Sequence, residues 1–230
     1  MDKIPFSVYD FFAYLSSGAV LVATADYVWG LGLLSDRAIG AALAVALLTI
    51  TYVVGQTVAQ FSSLFFEQIV VDRILKRPSS LLMGAKPTLR AFKWLFPNYH
   101  RPFATSTQEN VRTQAASRDC LVEGEGLFQH AYPLVTADER AQARLDDFRN
   151  QYGFARNMAF AFVVAAAAIV LASWCGQQHL RLRWALLAFV ASVTMFYRYL
   201  KFFRQFSYEL FLRYAALPKP GRGETTVTGA

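Results

Sequence analysis

Four uninterrupted apolar runs, at residues 11–29, 39–66, 158–174 and 184–203, limit what this chain can fold into. Each is close to the ~20 residues a helix needs to cross ~30 Å of hydrocarbon. In that medium only a helix or a closed barrel satisfies its own backbone. The runs are rich in Ala, Leu and Val and show no alternation of period two, so they predict helices. Composition agrees. The chain is 55% hydrophobic, its mean hydropathy is +0.28 and 17% of its residues are charged, against roughly 25% in soluble domains. The apolar excess forms two blocks near the ends, as spans do and a soluble core does not.

The runs pair as two hairpins. The first loop carries Asp36 and Arg37, and the second His179, Arg181 and Arg183. These loops hold three of the 23 Lys and Arg residues, which leaves 20 on the other flanks. Basic residues accumulate on cytoplasmic flanks, so both termini and the middle segment are expected in the cytosol, with the chain in the cytoplasmic membrane. Trp29, Trp174 and Trp184 then share the outer interface. Ala23-Thr24-Ala25 has the small-residue pattern of a signal-peptidase site, but Asp2 and Asp10 offset Lys3, so the segment reads as a retained span. Cys120 and Cys175 fall on opposite sides and predict no disulfide.

The fold expected is therefore all-α. Four transmembrane helices in two hairpins (1–66 and 158–206) flank a helical cytosolic region (67–157), and a tail (207–230) ends in a Pro/Gly/Thr-rich stretch expected to be disordered. The second span is expected to continue as a helix to Pro78, with Ile69, Val70, Val71, Ile74 and Leu75 on its apolar face. Pro87 is expected to open a short helix to Phe96. Its Leu89, Phe92 and Phe96 lie opposite Arg90 and Lys93, a pattern suited to a lipid surface or to packing. Two capping boxes, Ser106 with Glu109 and Thr136 with Glu139, each predict a helix start. No proline follows the second until beyond the third span, which predicts one helix from about Ala137 to Trp174. Its only weak point is Gly153.

Catalytic chemistry leaves no trace. There is no phosphate-cradling Gly-rich loop, no GxSxG and no zinc-type His/Cys spacing. His100, His130 and His179 are far apart, and Asp146 and Asp147, adjacent on a helix, point about 100° apart. Neither catalytic residues nor a metal or cofactor are expected.

The second span is the most informative. Tyr52, Gln56, Gln60, Ser63 and Glu67 recur at helical spacing as one polar stripe, which Thr49 prolongs. An unpartnered amide in hydrocarbon is costly, so Gln56 and Gln60 must face protein or water. Either they line a water-filled path or they bond helices together. Asp26 is the one acid well inside an apolar run. Such groups are functional candidates, although its position near the outer end also suits an interface residue or a partner for Arg37. Ala159, Ala161, Ala165, Ala166, Ala167, Ala168 and Ala172 in the third span allow close helix approach. Arg198, Lys201 and Arg204 alternate with Tyr and Phe. Their place at a cytosolic boundary favours anionic lipid and argues against nucleic acid, despite a net charge of +7.

In layout the chain resembles the small multi-span effectors of bacterial immune systems, which pair membrane helices with a cytosolic sensing part. Four spans leave little room for a pore, so conduction requires several subunits. The leading expectation is a homo-oligomeric channel or membrane-permeabilising effector in the lipid bilayer, triggered by a cytosolic protein or small molecule. The alternative is a non-conducting anchor or sensor that docks a cytosolic partner.

Overall fold

A computed structural model describes residues 8–33, 40–88, 90–176 and 182–219. Of the features singled out above, Asp2, Lys3, Asp36, Arg37, Leu89, His179, Arg181 and residues 220–230 of the tail lie outside the described residues, as do the side chains of Asp10, Arg90 and Phe92. Among the described residues 80% are helical and none lies in a strand. The helices are α1 (Val8–Trp29), α2 (Ala41–Ser62), a π-helical segment (Ser63–Leu75) that continues α2, α3 (Pro78–Leu82), α4 (Arg90–Leu95), α5 (Thr105–Ala116), α6 (Glu125–Thr136), α7 (Glu139–Trp174) and α8 (Leu182–Ala215). Among the described residues four stretches are long and apolar enough to cross a membrane: Phe11–Trp29, Ala41–Leu82, Glu139–Trp174 and Leu182–Ala215.

The chain divides into two compact units, Met1–Ile74 with Phe148–Phe203, and Leu75–Asp147 with Arg204–Ala230. In the first unit α1 and α2 meet backbone to backbone. A Cβ on Gly18 would overlap the Thr51 carbonyl oxygen, and one on Gly55 the Tyr14 carbonyl oxygen. Only glycine permits that approach. On α7, Ala155, Ala159, Ala161 and Ala165 are buried, and Ser192 Oγ of α8 donates to the Ala159 carbonyl at 2.8 Å. An aromatic cluster completes the packing, with Phe66 5.0 Å from Phe196 and 6.1 Å from Tyr199.

Much of this unit's apolar surface is bare. Only 17% of the most apolar window is buried in the Ala41–Leu82 stretch, and the same in α8. Leu43, Val45, Leu48 and Ile50 are all at least 42% exposed. A soluble monomer rarely leaves so continuous an apolar surface open to water, whereas a bilayer or a partner covers one.

The second unit is packed as a soluble helical domain is. Leu81, Val111, Leu127, Ala131, Leu145 and Phe211 are almost fully buried. The Phe103 ring lies 4.9 Å from the Tyr208 ring, tilted by 36°. Glu125 joins α6 to α3 by accepting from Arg77 at 2.6 Å and from Ser79 at 2.7 Å.

Several local expectations are corrected. The helix that prolongs α2 ends at Leu75 rather than at Pro78, because Lys76 turns left-handed at φ 65°. Pro78 instead opens α3. A π ladder brings residues four to five apart onto one side, so Phe66, Val71 and Leu75 are buried while Ile69 is 43% exposed. The helix after Pro87 starts at Arg90, and it is Trp94, 86% exposed, that stands clear of the surface.

Neither capping box forms. Helix α5 starts at Thr105 with Ala104 as its cap and no side-chain bond. The preceding turn is fixed instead by buried Phe103, whose N–H reaches the Leu82 carbonyl at 3.1 Å. Thr136 closes α6 by donating to the Tyr132 carbonyl at 2.8 Å. Asp138 caps α7, accepting the Arg140 N–H at 3.1 Å. From there α7 runs unbroken for 36 residues, on the order of 54 Å, through Gly153.

Candidate functional site

The polar stripe lies on α2 and the start of the π segment, and its members have different surroundings. Tyr52 is half-buried, its ring 5.4 Å from Phe11 and 6.1 Å from Tyr14. Thr49, exposed, donates to the Val45 carbonyl at 2.9 Å, and Thr57 to the Val53 carbonyl at 3.0 Å. A hydroxyl can always satisfy itself this way, against the carbonyl four residues back. A glutamine amide has two donors and an acceptor and no such outlet. Gln56 and Gln60 are both exposed on the helix surface, and neither side-chain amide bonds to any described residue. They are the groups on this apolar helix that the chain leaves for something else to satisfy.

At the lower end the stripe closes into a network. Ser63 Oγ donates to Glu67 Oε2 at 3.2 Å, and Glu67 Oε1 is paired with the Arg156 guanidinium of α7. Arg156 Nε also donates to Ser62 Oγ at 3.2 Å, and its Nη2 to Asn157 Oδ1 at 3.3 Å. Ser62 Oγ lies 2.7 Å from the same Asn157 oxygen. Ser62 is fully buried, Asn157 is 3% exposed, and the Arg156 side chain is 14% exposed. A charge withdrawn that far from water requires its partner, so Glu67 is committed to Arg156. Sequence reasoning grouped Glu67 with the stripe and missed Ser62, Arg156 and Asn157. The available signal was an Arg-Asn pair, Arg156-Asn157, directly before an uncharged apolar run.

Asp26 accepts the Leu33 N–H at 2.7 Å, while its own carbonyl accepts the Leu31 N–H at 3.2 Å. It therefore holds the chain where it leaves α1. Arg198 and Lys201 are exposed, their cations 5.2 and 5.7 Å from the Phe202 ring. Arg204 belongs to the second unit. It donates to the Arg101 carbonyl at 2.9 Å, and its cation lies 5.6 Å from the Tyr208 ring. Among the described residues no three His, Cys, Asp or Glu side chains converge as metal ligands would. Cys120 is half-buried and Cys175 exposed, and both are free.

No protein family, curated protein or solved structure matches the chain.

Proposed function

We propose that this protein is a homo-oligomeric membrane channel or permeabilising effector, with α2 of each copy facing a shared aqueous path. In this reading it is a multi-pass protein of the cytoplasmic membrane. Its spans form two hairpins, and both termini and residues 67–157 are cytosolic, as the distribution of Lys and Arg indicates. The observation that carries the reading is the pair Gln56 and Gln60, exposed one turn apart on a largely apolar helix, their side-chain amides bonded to no described residue. In hydrocarbon each bare amide costs several kcal/mol. Water or a second copy of α2 removes that cost. Tyr52 and Ser63 extend the same face, and Glu67, held by Arg156, fixes its lower end. The cytosolic part receives the trigger, a protein or small molecule, as in the defence effectors whose layout the chain resembles.

One observation favours a non-conducting anchor or sensor. Trp94 and Leu121 in the second unit are 86% and 91% exposed, a surface suited to a docked cytosolic partner.

The test pairs two measurements on the double variant Gln56→Leu/Gln60→Leu: ion flux in a planar bilayer, and particle size in mild detergent. An aqueous path predicts reduced flux with the oligomer intact, since Leu is welcome in lipid and in packed helices. A smaller particle assigns the glutamines to helix association, where each bond is worth roughly 0.6 kcal/mol. Unchanged flux and size, or a wild type that never conducts, rejects the path and leaves the anchor.

A further inference from the structure

The charge of this chain is concentrated in one stretch. Between Asp72 and Glu109 stand seven Lys and Arg residues and no acid, while the other 16 basic residues are matched by the chain's 16 acidic ones. The whole net charge of +7 is thus that of residues 73–108. Of the seven, Arg77 is paired with Glu125, whereas Lys86, Lys93 and Arg101 are exposed. The same stretch carries an aromatic that the fold does not use. In α4, Trp94 is 86% exposed and Leu95 44%, while the next residue, Phe96, is buried and roots the end of the helix. Tryptophan rings collect where hydrocarbon meets headgroups, because the ring is apolar and its N–H polar.

Contacts inside the second unit tie this segment to the two points at which the chain enters that unit. Tyr99 Oη donates to the Lys76 carbonyl at 2.8 Å, and Lys76 directly follows the π segment. Arg204 Nη2 donates to the Arg101 carbonyl at 2.9 Å, and Arg204 directly follows Phe203, the last residue of the first unit. Trp94 is five residues from Tyr99, a reach of at most ~18 Å. In the membrane reading both entry points are where a helix leaves hydrocarbon. The basic stretch and the bare ring are then tethered close to headgroups. An anionic membrane surface attracts such juxtamembrane cations, each contributing about fivefold to the binding.

We propose that the second unit rests on anionic lipid headgroups through this stretch, with the Trp94 ring inserted among them and Lys86, Lys93 and Arg101 meeting their phosphates. The inference depends on the membrane reading but not on conduction, so its fate is independent of the flux experiment. The test uses the full chain with Trp29, Trp174 and Trp184 replaced by Phe, which leaves Trp94 as its one tryptophan. It is reconstituted into vesicles of phosphatidylcholine, or of phosphatidylcholine and phosphatidylglycerol in equal parts. Fluorescence is quenched by acrylamide from the water, or by phosphatidylcholine brominated near the top of its acyl chains. In the mixed vesicles the brominated lipid should quench Trp94, and acrylamide should reach it several-fold less than in phosphatidylcholine alone. Lys86→Gln/Lys93→Gln should weaken the contact on the order of 25-fold and restore acrylamide access. Arg140→Gln, which removes an exposed cation on α7, should change nothing. If the chain with three Trp→Phe changes fails to fold, the difference between wild type and Trp94→Phe reads the same signal. Free access of acrylamide in the mixed vesicles overturns the proposal. So does quenching by brominated lipid that is the same in both vesicles and in the double variant, or an equal effect of Arg140→Gln. Shielding from both quenchers overturns it as well and gives Trp94 to a docked protein, as in the anchor reading.

Discussion

Gln56 and Gln60 differ from the hydroxyls of their own helix in what they can do unaided, and that difference separates a neutral decoration from a demand for a partner. Their spacing was readable in the sequence because it is local. The fate of Glu67 was not, because Arg156 lies 89 positions away and helical periodicity carries no information at that range. Replacing Glu67 by Gln leaves Arg156 largely buried without its counter-charge. With Glu67 still 30% exposed, the loss should be about 2 kcal/mol, between the values for exposed and fully buried pairs. Thermal unfolding in detergent checks this, and an unchanged midpoint would show that the pair is not a structural tie. The glycine contact was equally hidden, since glycines in a span have many uses. Gly55→Leu drives a side chain into the Tyr14 carbonyl and should cost about 3 kcal/mol. Gly40→Ala, whose Cβ would meet nothing within 4 Å, should be nearly silent. Equal behaviour of the two would remove the α1–α2 contact from the account.

Single elements were legible where composition alone decides them. The apolar runs and the absence of proline from residues 139–174 specify α7 without help from tertiary structure. Helix starts were less legible, because a capping box is a local bid that tertiary anchoring can override. At α5 the anchor is Phe103. At α7 the acid two residues beyond Thr136 takes the cap. This difference is measurable. Asp138→Ala should destabilise the second unit by about 1 kcal/mol. Ser106→Ala should change stability by less than about 0.5 kcal/mol, as surface substitutions away from such bonds do. A larger loss from Ser106→Ala would mean that its box forms after all. The π segment had no sequence signal, since its residues read equally well as α-helix; of the expected apolar face Val71 and Leu75 are buried, and Ile69 is left exposed.

At the scale of the whole molecule, a bare apolar unit and a well-buried helical unit in one chain are what an integral membrane protein with a cytosolic part requires. The proposed orientation makes Cys120 cytosolic and Cys175 external. An impermeant thiol reagent added to intact cells should therefore label exposed Cys175 and spare Cys120. Labelling of Cys120 would reverse the topology. The central claim, that the glutamine face of α2 meets water rather than lipid, has a more direct test. In a background where Cys120 and Cys175 are Ser, Gln60→Cys is compared with Val190→Cys, a position on α8 that is 54% exposed. Both are treated in native membranes with a water-soluble methanethiosulfonate. The account predicts that Gln60→Cys reacts at least roughly tenfold faster, because a thiol in hydrocarbon stays protonated and out of the reagent's reach. Equal, slow reaction at both positions would contradict it.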